Sequence, residues 1–274
     1  MTYQTIEVTI EAAIAEIRLN RPDKMNSITR ELMAEVQAAL ETLAADDGVR
    51  VVIISGAGRC FCSGFDISGD GSGQRRGVME WKDHSRVSQD FMRRLWNFPK
   101  PLIAAVHSYA LGGGCEIAML CDLTIAADDA VFGEPEIRFG TGSPTLIMPW
   151  VVPLKIAKEL LYTGKAIDAQ RAKEIGMVNE VVPVLNLKRR ARYHARLLAQ
   201  VDPLAVRLMK EALNKTFEIM GLHGALANAE NLVAILDGTE SETGREFAQI
   251  REKSGLKAAL RWQEEQYRKI EEIG

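Results

Sequence analysis

Three successive glycines, Gly112, Gly113 and Gly114, lie between two apolar runs and constrain this chain more than any other feature. The run before them, Pro101 to Val106, reads as a buried strand opened by proline, and Cys115 to Leu120 reads as a buried helix. Without a Cβ, glycine lets another group come within hydrogen-bonding distance of the backbone. The first N–H groups of the helix have no partner inside it, and the helix dipole favours negative charge at that end. The stretch from Tyr109 to Glu116 can therefore hold a partial anion, with the carboxylate of Glu116 fixed just beyond it. A tight turn followed by a surface glutamate would account for the same residues, so the pattern alone is not decisive.

A second stretch has matching chemistry. Phe61-Cys62-Ser63-Gly64-Phe65-Asp66-Ile67 follows Val51 to Ser55, an all-apolar run of the kind found in a parallel strand buried on both faces. Two irregular turns after neighbouring parallel strands would bring their N–H groups to the same carboxyl edge of the sheet, where ligand crevices lie. One N–H from each would make an oxyanion hole, and removing one such donor typically costs about 100–1,000-fold in rate.

The rest of the chain supplies a frame for these turns. Residues 5–19 alternate around Ile6, Val8, Ile10, Ile14, Ile17 and Leu19, which predicts a hairpin. Thr29 is a predicted N-cap for a helix with Leu32, Val36, Leu40 and Leu43 on one face. A Gly-x-Gly at Gly56 and Gly58 suggests a dinucleotide fingerprint, but its third glycine would fall on Phe61 and no helix follows. The polar stretch 68–77 reads as a surface loop or a lid, followed by a helix carrying Trp81, Val87, Phe91 and Leu95. Strands are expected near 123–126, 131–132 and 178–182, with helical patterns at 145–151, 154–162 and 168–175 between them. From 186 onward nearly everything reads helical, so the expected class is an α/β core with a helical C-terminal appendage.

Composition narrows the function classes. The chain has 274 residues, 47% hydrophobic and 26% charged, with a net charge of −3, which gives no reason to expect nucleic acid or an anionic membrane as a partner. No apolar run reaches the length of a membrane span, and the N-terminus lacks a signal-peptide layout, so the expected location is cytoplasmic. Cys60, Cys62, Cys115 and Cys121 form no Cys-x-x-Cys pair and the histidines are scattered, so no metal site is expected.

Phe-Cys-Ser-Gly-Phe-Asp-Ile at 61–67, Ala-Leu-Gly-Gly-Gly-Cys-Glu-Ile-Ala at 110–118 and Phe-Gly-Glu-Pro-Glu-Ile at 132–137 resemble, in order and register, the crotonase (enoyl-CoA hydratase/isomerase) family. Asn20-Arg21-Pro22 and Leu161-Tyr162-Thr163-Gly164 are also similar to it, and the likeness runs from about residue 5 to about residue 185. The resemblance implies an α/β spiral of ββα repeats with a helical trimerisation region. On that pattern, residues 1–200 would form the core with an acyl-CoA site, and residues 201–274 would form the oligomerisation region of a homotrimer or homohexamer.

It also implies that the backbone N–H groups of Phe65 and Gly113 grip a thioester carbonyl, that Glu116 activates water and that Glu136 protonates the α-carbon. Coenzyme A would be part of the substrate, and no separate cofactor would be needed. Lys24, Met25, Ser63, Asp66 and Ile67 match the CoA-binding positions, while Arg251 and Lys253 are candidates for a basic contact from the tail. Glu134, two residues before Glu136, is the less favoured register for the second acid.

The chain departs from the family at two places. Hydratases commonly carry Pro-Gly-Ala-Gly-Gly-Thr after the second glutamate, where this chain has Gly142-Ser143-Pro144-Thr145, and Phe65 stands where a small residue is frequent. Dehalogenases of the family use an aspartate nucleophile at the position of Pro144, and proline cannot serve. Three readings remain: a hydratase, a double-bond isomerase or other acyl-CoA lyase of the family, and a non-catalytic binding protein. Retention of both carboxylates favours hydration.

Overall fold

The computed structural model describes residues 2–68, 77–143, 145–239 and 241–271. The expected lid at 68–77 lies largely outside them, as does Pro144. The N-terminal alternation forms the predicted antiparallel hairpin of β1 (Ile6–Glu11) and β2 (Ile14–Leu19), with Ile6 opposite Leu19. Thr29 caps α1 (Arg30–Ala45), its hydroxyl accepting the Leu32 N–H at 3.2 Å, a cap worth about 1 kcal/mol. Leu32, Val36, Leu40 and Leu43 are buried, as their spacing predicts. β3 (Val51–Gly56) then pairs parallel to β2. Next, α2 (Val78–Trp96) buries Phe91, Met92 and Leu95 and leads into β4 (Leu102–Val106), parallel to β3.

Here the chain leaves the first sheet. Tyr109–Leu111, read from the sequence as part of a turn, is a short strand, β5. α3 (Gly113–Leu120) follows, and β6 (Leu123–Ala127) returns to the first sheet beside β4. β7 (Val131–Gly133) pairs with β5, and the chain then makes a 3-10 helix at Pro135–Phe139. After α4 (Met148–Val151) and α5 (Leu154–Thr163), β8 (Ile167–Asp168) joins β7, and α6 (Ala169–Glu174) leads to β9 (Glu180–Val182). The large sheet has the order β1-β2-β3-β4-β6-β9, and the small one β5-β7-β8.

Side-chain alternation along β3 explains why its run is apolar throughout. Val52 and Ile54 face the core shared with Leu32, Phe61 and Cys115, while Val51 and Ile53 face a second core closed by Leu187, Ala191 and Ala195 of α7 (Leu187–Gln200). Four further helices complete the described chain: α8 (Pro203–Ile219), α9 (Leu222–Gly238), α10 (Glu242–Ser254) and α11 (Leu256–Glu271). Leu222 and Leu226 of α9 join the main core, whereas α8 exposes Leu204, Leu208, Met209 and Leu213. No single helix among the described residues is long and apolar enough to cross a membrane.

Candidate active site

The two glycine turns meet, but they do so at the small sheet rather than at the edge of the large one. After β3, the chain runs beside β5: Cys62 N–H donates to Tyr109 O, and Leu111 N–H donates to Cys62 O, both at 3.0 Å. Gly64 (φ +93°) and Gly112 (φ +51°) then bend both segments at the same level. A Cβ on Gly64 would lie 2.8 Å from Leu111 O and 3.4 Å from Gly113 N. One on Gly114 would lie 2.5 Å from Cys62 O, so backbone approaches backbone where no side chain fits.

Among the described residues this packing leaves two donors without a backbone acceptor. Ile28 pairs with the residues flanking Phe65, its N–H donating to Gly64 O and its carbonyl accepting from Asp66 N–H. In such a parallel bridge the central residue turns its own N–H away, which frees the amide of Phe65. Gly113 is the first residue of α3, where the N–H has no acceptor within the helix. The Phe65 ring lies against Gly113, where a Cβ would sit 2.6 Å from it.

Two carboxylates flank this pair. Glu116, one turn into α3, is completely buried, and its Oε1 accepts from the Ser143 hydroxyl at 2.5 Å and from the Thr145 N–H at 2.7 Å. Glu136 is half-buried on the 3-10 helix, with its Oε1 2.3 Å from where a Cβ of Gly112 would be. The Gly112 N–H donates to Gly133 O at 2.8 Å, which ties the glycine turn to the strand that leads to Glu136. The Oε2 atoms of Glu116 and Glu136 are enclosed and have no protein partner among the described residues.

Burial raises both carboxyls well above the ordinary range. For Glu116 the Ser143 hydroxyl opposes burial while the nearby Glu136 adds to it, and for Glu136 its own backbone N–H offsets burial in part. Interacting acids of this kind titrate as a unit, so the raised values belong to the pair and not to either residue alone.

The loop that serves Glu116 is anchored from the helical region. The Thr141 hydroxyl donates to Asp237 at the end of α9, and a Cβ on Gly142 would meet Val233 at 2.8 Å. Phe139 packs edge-on to Phe247 of α10 (centroids 5.2 Å apart), and the Arg138 guanidinium lies 4.1 Å over the Tyr267 ring of α11. Arg138 also donates from Nε to Thr163 O at 2.6 Å.

The CoA-matching residues fall into two groups. Lys24 is exposed, and Met25 (φ +51°) accepts the Ser63 N–H on its carbonyl at 3.0 Å, so Lys24, Met25 and Ser63 come together at the entrance of the second turn. The Asp66 carboxylate is engaged within the protein by Arg21 at 3.1 Å and Ser27 at 3.0 Å. Burial would raise it, but bonds from Ser68, Ser27 and Arg21 outweigh burial and bring it to about 2. Ile67 is exposed beside the undescribed segment, and Arg251 and Lys253 lie in the last turn of α10. Among the described residues no group of three or more His, Cys, Asp and Glu side chains is arranged to hold a metal ion.

Sequence reasoning did not find Ser143, Thr145 or Asn26. Ser143 and Thr145 reach Glu116 only through the tertiary path of the loop. Asn26 donates from Nδ2 to the carbonyls of Ala57 and Cys60 at 2.8 Å and so holds the segment before the second turn, and its signal was its place in the Asn20–Ser27 loop.

Comparisons with known proteins bear on the family and the fold. The enoyl-CoA hydratase/isomerase family model matches residues 9–254. The chain is 37% identical to a crotonyl-CoA hydratase from Syntrophomonas wolfei over 219 residues, covering 78% of this chain and 83% of that one. It is 34% identical to a 2,3-dehydroadipyl-CoA hydratase from Escherichia coli over 242 residues, covering 85% and 90% respectively. A crystal structure of an enoyl-CoA hydratase/isomerase from Xanthobacter autotrophicus Py2 superposes with a TM-score of 0.93 at 40% identity, covering 97% of this chain and 99% of that one. The two sheets and the C-terminal helices thus form the α/β fold that the three motifs imply.

Proposed function

This chain belongs to the crotonase (enoyl-CoA hydratase/isomerase) family, and we propose that it is an enoyl-CoA hydratase, adding water syn across an α,β-unsaturated acyl-CoA thioester. The observation that carries this reading is the burial of Glu116 and the enclosure of Glu136 Oε2 beside two free amides. The thioester oxygen accepts from the N–H groups of Phe65 and Gly113, which stabilise it as it gains charge. Glu116 takes a proton from water as the water oxygen bonds to the β-carbon. Electrons move from the double bond through the α-carbon to the thioester oxygen. Glu136 then delivers its proton to the α-carbon, and the carbonyl reforms. One proton enters the pair and one leaves it, so the site returns to its starting charge.

Lys24, Met25, Ser63, Asp66 and Ile67 line the entry for the CoA portion, with Asp66 contributing backbone because its carboxylate is held by Arg21. Residues 1–200 carry the acyl-CoA site and residues 201–274 the oligomer contacts of a cytoplasmic homotrimer or homohexamer. The exposed apolar stripe of α8 supports that assembly. Incubation with crotonyl-CoA tests the central claim: hydration removes the conjugated absorbance. Formation of conjugation from a non-conjugated enoyl-CoA, with no hydration of any conjugated one, would assign isomerisation instead. Binding of acyl-CoA without either change would remove catalysis, and a monomeric mass by sedimentation would remove the assembly.

A further inference from the structure

A third carboxyl enters the site, and the hydration mechanism above makes no use of it. Glu134 ends the passage from β7, two residues before Glu136, and is 2% exposed. Both of its carboxyl oxygens are enclosed without a protein hydrogen-bond partner among the described residues. Among the described residues, the groups that act on it are Glu116 from α3, Glu136 from the 3-10 helix and Ser143 from the loop, none of them a cation. Cys115 of α3 is buried in the same cluster. The Ser143 hydroxyl is near enough to Glu134 to favour its charged form, but its bond goes to Oε1 of Glu116.

A buried carboxylate with no donor and two acidic neighbours is costly as an anion, whereas a neutral carboxylic acid brings its own donor. The enclosed Oε2 atoms of Glu116 and Glu136 likewise lack a protein partner among the described residues and can accept a hydrogen bond. We propose that Glu134 is a positioning residue for the Glu116–Glu136 pair: a neutral carboxylic acid whose proton supplies the hydrogen bond that keeps one of the two catalytic carboxyls ionised. This rests on the hydratase reading for the roles of the pair, but not for the state of Glu134. Any negative charge at the site is then carried by the pair and not by Glu134.

Glu134→Gln keeps the shape, the neutrality and a donor, while Glu134→Leu keeps only the bulk. Difference infrared spectroscopy at neutral pH, Glu134→Gln against wild type, is expected to show loss of a protonated-carboxyl C=O band. The acid limb of kcat/KM is expected to stay in place in Glu134→Gln and to move up by about one pH unit in Glu134→Leu, because a carboxylate that loses a donor becomes harder to ionise. An infrared difference without that loss overturns the proposal, since Glu134 would then be ionised. So does an acid limb that moves down in Glu134→Gln, the sign of a removed negative charge, or a Glu134→Leu profile that is merely scaled. The infrared readout needs no turnover, so a protein that loses the band but hydrates nothing refutes the hydratase reading and leaves the neutral acid standing.

Discussion

A Cβ on Gly112 would lie 2.3 Å from Oε1 of Glu136, so the middle of the chain's glycine turn and the second carboxyl of the proposed pair occupy adjoining space with no room between them. Gly112→Ala must therefore displace Glu136, and it must also hold a non-glycine residue at φ +51°. The expected result is a fall in kcat of about 100-fold with a smaller change in KM, because misplacing a reacting group by about 1 Å costs that much. Steady-state kinetics with the best enoyl-CoA check this, and a kcat near wild type would separate Glu136 from the chemistry.

Glu116→Gln and Glu136→Gln keep shape but cannot exchange protons. Each is expected to lose about 100–10,000-fold in hydration, the usual contribution of a positioned acid or base, while still binding acyl-CoA. Turnover and binding by calorimetry are the paired measurements, and near-normal turnover in either variant refutes that residue's role.

Ser143→Ala removes the hydroxyl that opposes burial at Glu116, and the Thr145 N–H remains on the same oxygen. The base becomes harder to ionise, so the acid limb of kcat/KM is expected to rise by about one pH unit, with activity recovered at higher pH. A loss of activity uniform across pH would mean that Ser143 shapes the loop and does not tune the base.

The buried acids also set how stability depends on pH. Burial holds Glu116 up at about 8 in the folded chain, against 4.5 as the ordinary value. Raising the pH from 5 to 8 ionises this group in the unfolded chain before the folded one, so its contribution to stability is full at low pH and is lost as pH rises. Glu116→Gln does not titrate, so its Tm relative to wild type is expected to climb by at least about 2–4 °C across that range. A difference that stays flat from pH 5 to 8 would contradict the raised value.

The Phe65 ring and Gly113 offer a coupled test. Gly113→Ala would place a Cβ 2.6 Å from that ring and push the two proposed oxyanion donors apart. Activity is expected to fall about 10–100-fold in Gly113→Ala and to recover in part in the Gly113→Ala, Phe65→Ala double variant, since residues in contact are not additive. Additive losses would show that the ring is not what the new methyl meets.

Much of this was readable in the chain before it folded. Periodicity is local, so the hairpin, the Thr29 cap, the all-apolar run of β3 and the helical tail follow from neighbours a few residues apart. The three motifs also singled out Phe65, Gly113, Glu116 and Glu136 as candidates, because glycines and carboxylates at fixed spacing stand out in the linear order. Only the tertiary structure decided what those groups meet. Tyr109–Leu111 became a strand because Cys62 and β7 offered it partners distant in sequence, and that second sheet, not the edge of the first, brings the turns together. The loop after Glu136 gave no hint that Ser143 and Thr145 would converge on one oxygen of Glu116, or that Asp237, nearly a hundred residues on, would anchor it. Glu134 looked like a neighbouring register in sequence and is, in the fold, a buried acid with no donor bonded to it among the described residues. Burial and hydrogen bonding are properties of segments packed in space, and the ionisation of these carboxyls depends on both.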